Sequence, residues 1–313
     1  MRPAISVILL TTLIGAGQGL FLAVYATHVL GRFGVMRDSP SLDFVLGASV
    51  IAMAFAAAGL VASFFHLGRP SRAWRSASQW RTSWLSREVI ALPAFMACLA
   101  AYAAAAIGGW STAEAFGVAA LVACIALFVC TGMVYACIRF LQEWSSPLTL
   151  VNFFLLGTAS GTTFAAGMAA FVAPALAPIY AMAAVALTTA ALVGRMAALA
   201  RNGRLRPRST LQTAIGIKHP HIEQKAQGSM GGSFNTREFF HGSTSARLRA
   251  VRQGFIVLTF VAPIVVLGVA LTTGMTSLYA VAFLLQYAGL LAERWYFLAQ
   301  ANHPQNLYYQ AIS

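Results

Sequence analysis

The sequence predicts an all-α protein that crosses a membrane eight times. Three observations predict it. Hydrophobic residues fill 59% of the 313 positions and charged residues only 9%, whereas soluble domains carry about 25% charged residues. Mean hydropathy is +0.72. The apolar residues also fall into runs of span length, since a hydrocarbon layer about 30 Å thick takes roughly 20 helical residues. In lipid the backbone must satisfy its own hydrogen bonds, so these runs must be helices.

The expected spans, in order, cover residues 6–30, 44–65, 89–107, 115–138, 148–172, 179–196, 255–273 and 277–291. The first follows Arg2. It is too long for the apolar core of a signal peptide, about 7–15 residues, so it is expected to be retained. Asp38-Ser39-Pro40 turns the chain into the second span, and Gly68-Arg69-Pro70 follows its end. Gly108-Gly109 closes the third, Ser145-Ser146-Pro147 opens the fifth, and Pro174 and Pro178 precede the sixth. Such residues stop or start helices because proline lacks an N–H, glycine accepts unusual dihedrals, and serine and aspartate bond the nearby backbone. Gly15 and Gly19 share one face of the first span, and Gly157 and Gly161 one face of the fifth. Small residues four apart let helices approach closely in lipid, so these are read as packing positions.

The expected organisation is a single unit, residues 1–313, interrupted by one polar segment at about 197–252. That segment is too short and too poor in apolar residues to build its own core. A flexible loop and a docking surface for a partner are both open readings.

With eight spans both termini share one face. That face receives nineteen of the 21 Lys and Arg residues, and the other receives only Arg32 and Arg37. The positive-inside rule then places both termini in the cytoplasm. The net charge of +13 does not point to nucleic acid. Its basic residues sit between apolar runs, where topogenesis and anionic lipid head groups account for them. The four cysteines lie within apolar runs and form no C-x-x-C pair. That argues against an iron–sulfur cluster or a disulfide framework in this chain; small buried hydrophobes are the simpler reading.

No Asp, Glu, Lys or Arg is expected near the middle of a span, which disfavours an ion-coupled transporter, the rival class for such a sequence. A bis-histidine haem needs two ligands at similar depth. Here His28 and His66 close spans at opposite faces, and His219, His221, His241 and His303 lie in polar segments. No haem and no metal site are expected.

What remains is "HLGRPSRAWRSASQWRTSWLSRE", residues 66–88. His66 closes the second span and Glu88 opens the third. Helices joined by a short connection are usually neighbours, so an imidazole and a carboxylate are expected to meet at interfacial depth. The arginines between them favour an ionised carboxylate, and Trp74, Trp80 and Trp84 suit the head-group boundary. Such a pair fits a quinone, which takes up two electrons and two protons: one group bonds a carbonyl and titratable groups pass protons. The plainer reading also stands, in which His66 caps one helix and Glu88 favours the N-terminal dipole of the next.

"HLGRP" followed by "SWLSREV" resembles the signature of the membrane anchor subunit of the dimethyl sulfoxide reductase family of molybdenum enzymes. "YACIRFLQEWSSPLT", "STLQTAIGIKHP" and "ERWYFLAQANHPQNLYY" agree, so the resemblance covers nearly the whole chain. The loop ending "GGSFNTREFFHG" is more similar to the anchors of cytoplasmic sulfite dehydrogenases. The resemblance implies a haem-free subunit of the bacterial inner membrane that binds ubiquinone or menaquinone. It also implies an iron–sulfur subunit and a molybdopterin catalytic subunit as partners, with the substrate reaction on another chain. It ties His66 and Glu88 to quinone chemistry, and Arg69 and Trp84 share the same motifs. Both directions remain open: quinone reduction coupled to cytoplasmic sulfite oxidation, or quinol oxidation as in a dimethyl sulfoxide reductase. With the site on the nineteen-cation face, the partners are expected to be cytoplasmic.

Overall fold

A computed structural model describes residues 3–206, 208–223 and 244–304. Eight of its helices are long and apolar enough to cross a membrane: α1 Ile5–Arg32, α2 Leu42–Phe64, α3 Trp84–Ile107, α4 Ala113–Ala136, α5 Pro147–Val172, α6 Ala177–Asn202, α7 Ser245–Thr273 and α8 Thr276–Ala299. A 24-residue helix such as α3 is roughly 36 Å long at 1.5 Å per residue, enough to cross with some tilt. Among the described residues there is no β-strand. The bundle is the expected all-α polytopic architecture. Successive helices run in opposite directions, so the starts of α1, α3, α5 and α7 and the ends of α2, α4, α6 and α8 share one face, called here the N-terminal face.

Turn chemistry acts at two positions the sequence singled out, Ser146 and Gly109, and at three it did not, Ser41, Ser83 and Gly274. Ser41, Ser83 and Ser146 accept hydrogen bonds from the first backbone N–H groups of α2, α3 and α5, the ordinary way to satisfy a helix start. Gly109 and Gly274 adopt positive φ at the ends of α3 and α7, where a side chain would be strained.

The helices are longer than the expected spans at four ends. α3 begins at Trp84, α6 runs on to Asn202, α7 begins at Ser245 and α8 continues to Ala299. Polar and charged residues in these extensions hid the helical continuation from a hydropathy reading. Two further elements are unanticipated: a 3-10 segment, Pro70–Gln79, between α2 and α3, and a one-turn helix, Leu211–Ile215, after α6. Residues 224–243, including the whole "GGSFNTREFFHG" segment with His241, lie outside the described residues.

α1 and α5 form the centre. α1 packs against α2 and α5, α3 against α4, α5 against α6 and α8, and α8 against α7. The α1–α5 contact is backbone on backbone: a Cβ built on Gly19 would collide with the Gly157 carbonyl, and one built on Gly161 with the backbone of Gly19 and Leu20. This is the small-residue packing expected from the paired glycines. A second adjustment lies in α7. Pro263 cannot donate to the carbonyl of Thr259 four residues earlier, and the helix widens into a π-turn over Val257–Val261. Gln286 of α8 supplies a donor instead: its Nε2 lies 3.4 Å from Thr259 O and 2.9 Å from Thr188 Oγ1 of α6.

The glycine contact is testable. Gly161→Ala should lower stability in detergent by about 1–3 kcal/mol, the usual cost of overpacking. Gly15→Ala should be close to neutral, because its Cβ would lie at an ordinary 3.5 Å from Gly157 Cα. Thermal unfolding of both variants checks the difference; equal losses would remove the special role given to the Gly19–Gly161 crossing.

Candidate functional site

The 66–88 segment is held to the start of α3 by its own side chains. Ser83 caps the helix, and the buried Ser86 hydroxyl donates to the Ser76 carbonyl. Arg87 donates from Nε to Trp80 O at 2.9 Å and from Nη2 to Arg81 O at 2.9 Å, with its guanidinium 4.2 Å from the Trp84 ring centre. Arg87 therefore points out towards the segment. Glu88, one residue on and about 100° round the helix, points into the bundle.

Glu88 is partly buried, and its Oε1 accepts a hydrogen bond from Thr131 Oγ1 of α4 at 2.7 Å. It lines a small cavity with Thr11, Thr12 and Gln18 of α1, Thr131 of α4 and Arg294 of α8. Gly15 and Gly157, at the α1–α5 contact, form part of the wall. The space has room for about one water molecule. Gln18 also donates from Nε2 to the Cys124 carbonyl at 2.8 Å, which ties α1 to α4 beside it.

Behind Arg294 lies a buried charge array. Glu293 contacts Arg195 of α6 through Oε1 at 2.7 Å and Arg294 through Oε2 at 3.2 Å. Relative exposures are 2% for Arg195, 1% for Glu293 and 3% for Arg294. The Arg294 guanidinium lies 3.9 Å from the Phe153 ring centre, a favourable cation–π position. These three residues correct the sequence-based count of loop charges. Arg195 and Arg294 sit inside helices, among other side chains, rather than in the aqueous segments. Glu88, Arg195, Glu293 and Arg294 lie within the spanning helices, on the N-terminal-face side of each helix's midpoint.

The other candidates lie outside the cavity. His66 follows the end of α2 and is exposed; what burial it has holds its imidazole below the ordinary histidine pKa. A neutral ring can donate from one nitrogen and accept at the other. Arg69 is exposed at the start of the 3-10 segment, and Trp84 is half-buried in the first turn of α3. The structure thus brings Glu88 against Thr131, on the wall of a small cavity that Arg294 also lines, and it leaves His66 at the surface rather than against the Glu88 carboxylate. His28 lies at the opposite face, 3.4 Å from Glu114 of α4. Among the described residues no cluster of three or more His, Cys, Asp or Glu could hold a metal ion.

Sequence reasoning missed Thr131, Gln18 and the Arg195–Glu293–Arg294 array. A signal existed for the array: Glu293-Arg294 is followed by the apolar "WYFLA", so helical periodicity continued past the charges.

Over residues 1–309 the chain matches the family described as DMSO reductase anchor subunit (DmsC). It is 49% identical to a sulfite dehydrogenase subunit from Allochromatium vinosum, in an alignment that covers both chains over their full length. The chain belongs to the DMSO reductase anchor subunit family.

Proposed function

We propose that this membrane anchor passes electrons from partner subunits to quinone at its N-terminal face, with Glu88 carrying protons. The observation that supports this reading most is the position of Glu88. Its side chain is partly exposed at the first turns of α3, while its carboxyl group lines an interior polar cavity. A quinone ring is larger than one water, so it stays outside the cavity, between Glu88 and the surface that carries His66. A neutral His66 N–H can donate to one carbonyl oxygen. Arg69 and Trp84 frame the approach, and the exposed Trp74 and Trp80 suit the lipid boundary.

Electrons and protons balance across the complex. On the catalytic partner, sulfite and water give sulfate, two electrons and two protons. The iron–sulfur partner relays the two electrons. At the anchor, quinone takes up two electrons and two protons and leaves as quinol. The likeness to a protein of a sulfite dehydrogenase supports this direction over quinol oxidation. The charge asymmetry supports a cytoplasmic location for the N-terminal face and for both partners. Of the nineteen basic residues on that side, Arg195 and Arg294 are buried in the bundle; setting those two aside leaves seventeen against two on the other face.

Three outcomes are expected. In the assembled complex, Glu88→Gln should lower quinone turnover by about 10²–10⁴-fold, the usual span for a lost acid–base group, while electron transfer to an artificial dye persists. Loss of dye activity and assembly as well would make Glu88 structural. His66→Ala should weaken binding of a quinone-analogue inhibitor by about 1 kcal/mol or somewhat more, one hydrogen bond's worth; unchanged binding would move the head group elsewhere. In proteoliposomes, turnover should leave the pH at the opposite face unchanged, because sulfite oxidation releases protons and quinone takes them up on the side of the N-terminal face alone; proton release at the opposite face would contradict the arrangement.

A further inference from the structure

A threonine within a helix commonly returns its hydroxyl to a carbonyl of the same helix three or four residues earlier. Thr12, Thr158, Thr162 and Thr163 do so, at 2.9, 2.8, 2.7 and 2.9 Å. Thr131 departs from this pattern. It is 7% exposed in α4, and its hydroxyl reaches across to α3, where it donates to Glu88 Oε1 at 2.7 Å. A hydroxyl has one proton to donate, so this donor is committed to the Glu88 carboxyl group. Packing sets where the hydroxyl stands. α4 lies along α3. The neighbouring Gly132 brings α4 close to α5: a Cβ there would lie 2.6 Å from Leu150 Cδ1 and 3.0 Å from Leu150 Cα. Among the described residues no second hydrogen bond holds the Glu88 carboxyl group. Its two oxygens are therefore unlike: Oε1 is engaged and Oε2 is not.

We infer that Thr131 is the positioning residue for Glu88: its hydroxyl fixes Oε1, and Oε2 is the atom at which Glu88 takes up and gives up its proton. The functional consequence rests on the quinone reading, whereas the hydrogen bond stands or falls separately. The hold works in both protonation states. In the carboxylate, Oε1 accepts the Thr131 proton as one of two equivalent charged oxygens. With a proton on Oε2, Oε1 is the carbonyl oxygen and still accepts from Thr131. One proton thus enters and leaves at Oε2 while the orientation of the group is kept, and none is drawn from Thr131. The electrons come to quinone from the iron–sulfur partner and do not pass through Glu88. A methyl group in place of the hydroxyl would leave Oε1 without its donor. An acceptor left unsatisfied in a partly buried setting is costly, and the carboxyl group would turn away to find another partner.

The experiment uses the intact complex with Thr131→Val, which keeps the shape and removes the hydroxyl, and Thr131→Ser, which keeps the hydroxyl. Thr131→Val should lower quinone turnover by about ten- to a hundredfold through misplacement of Glu88, with dye reduction unchanged. Thr131→Ser should retain most of the turnover, and equal turnover in the two variants would overturn the assignment. In a Glu88→Gln background, Thr131→Val should lower the remaining turnover no further; a second loss of the same size would show that Thr131 acts apart from Glu88. Infrared difference spectra read the bond itself. The carboxyl band that Glu88→Gln abolishes should shift in Thr131→Val and stay near its parent position in Thr131→Ser; an unshifted band would remove the hydrogen bond. Thr131→Ala, which also lacks the hydroxyl, gives the same readings where the valine variant does not accumulate. If the band shifts but Glu88→Gln leaves quinone turnover intact, the positioning stands and the quinone reading fails.

Discussion

The approach of α1 to α5 is the constraint on which the bundle rests. Two helices touch through their backbones because Gly19, Gly157 and Gly161 present no side chain. In lipid there is no hydrophobic gain from bringing two apolar helices together, so close van der Waals contact must supply the attraction. The same contact shapes the interior. Gly15 and Gly157 form part of the cavity wall, so the space beside Glu88 has its size because these helices cannot separate. Packing and candidate chemistry thus share a single pair of sequence motifs.

Electrostatics then decides which helices must stay together near the N-terminal face. Arg195 on α6 meets Glu293 on α8, beside Arg294, and separately Thr131 on α4 holds Glu88 on α3. Buried charge of this kind is weak evidence for stability. Its better-attested effect is to specify one arrangement, because any slippage would strand a charge. Gln286 acts similarly on neutral groups, meeting the Thr259 carbonyl that Pro263 leaves without a helical donor.

Much of this was legible in the sequence, for identifiable reasons. Hydropathy marks eight spans because lipid leaves few alternatives, and the Ser146 cap and the Gly109 end fall where turn chemistry predicts. Glu88 was legible because a carboxylate between an arginine-rich segment and an apolar run is unusual. Its surroundings were not. Thr131 and Gln18 look like ordinary polar residues within apolar runs, and only the packing of α4 against α3 and α1 shows what they meet. Arg195 and Arg294 were misplaced because a hydropathy window treats any arginine near a span end as belonging to the loop. The proximity expected of His66 and Glu88 followed from chain connectivity. Connectivity makes α2 and α3 neighbours, but it does not say that Glu88 turns inward while His66 stays outside.

The size of the cavity has a consequence for the energised membrane. A space that admits a single water does not admit a sodium or potassium ion with its hydration shell. Such a chamber offers no passage to bulk electrolyte. A redox subunit built this way can sit in a membrane under voltage without short-circuiting the gradients that its neighbours maintain.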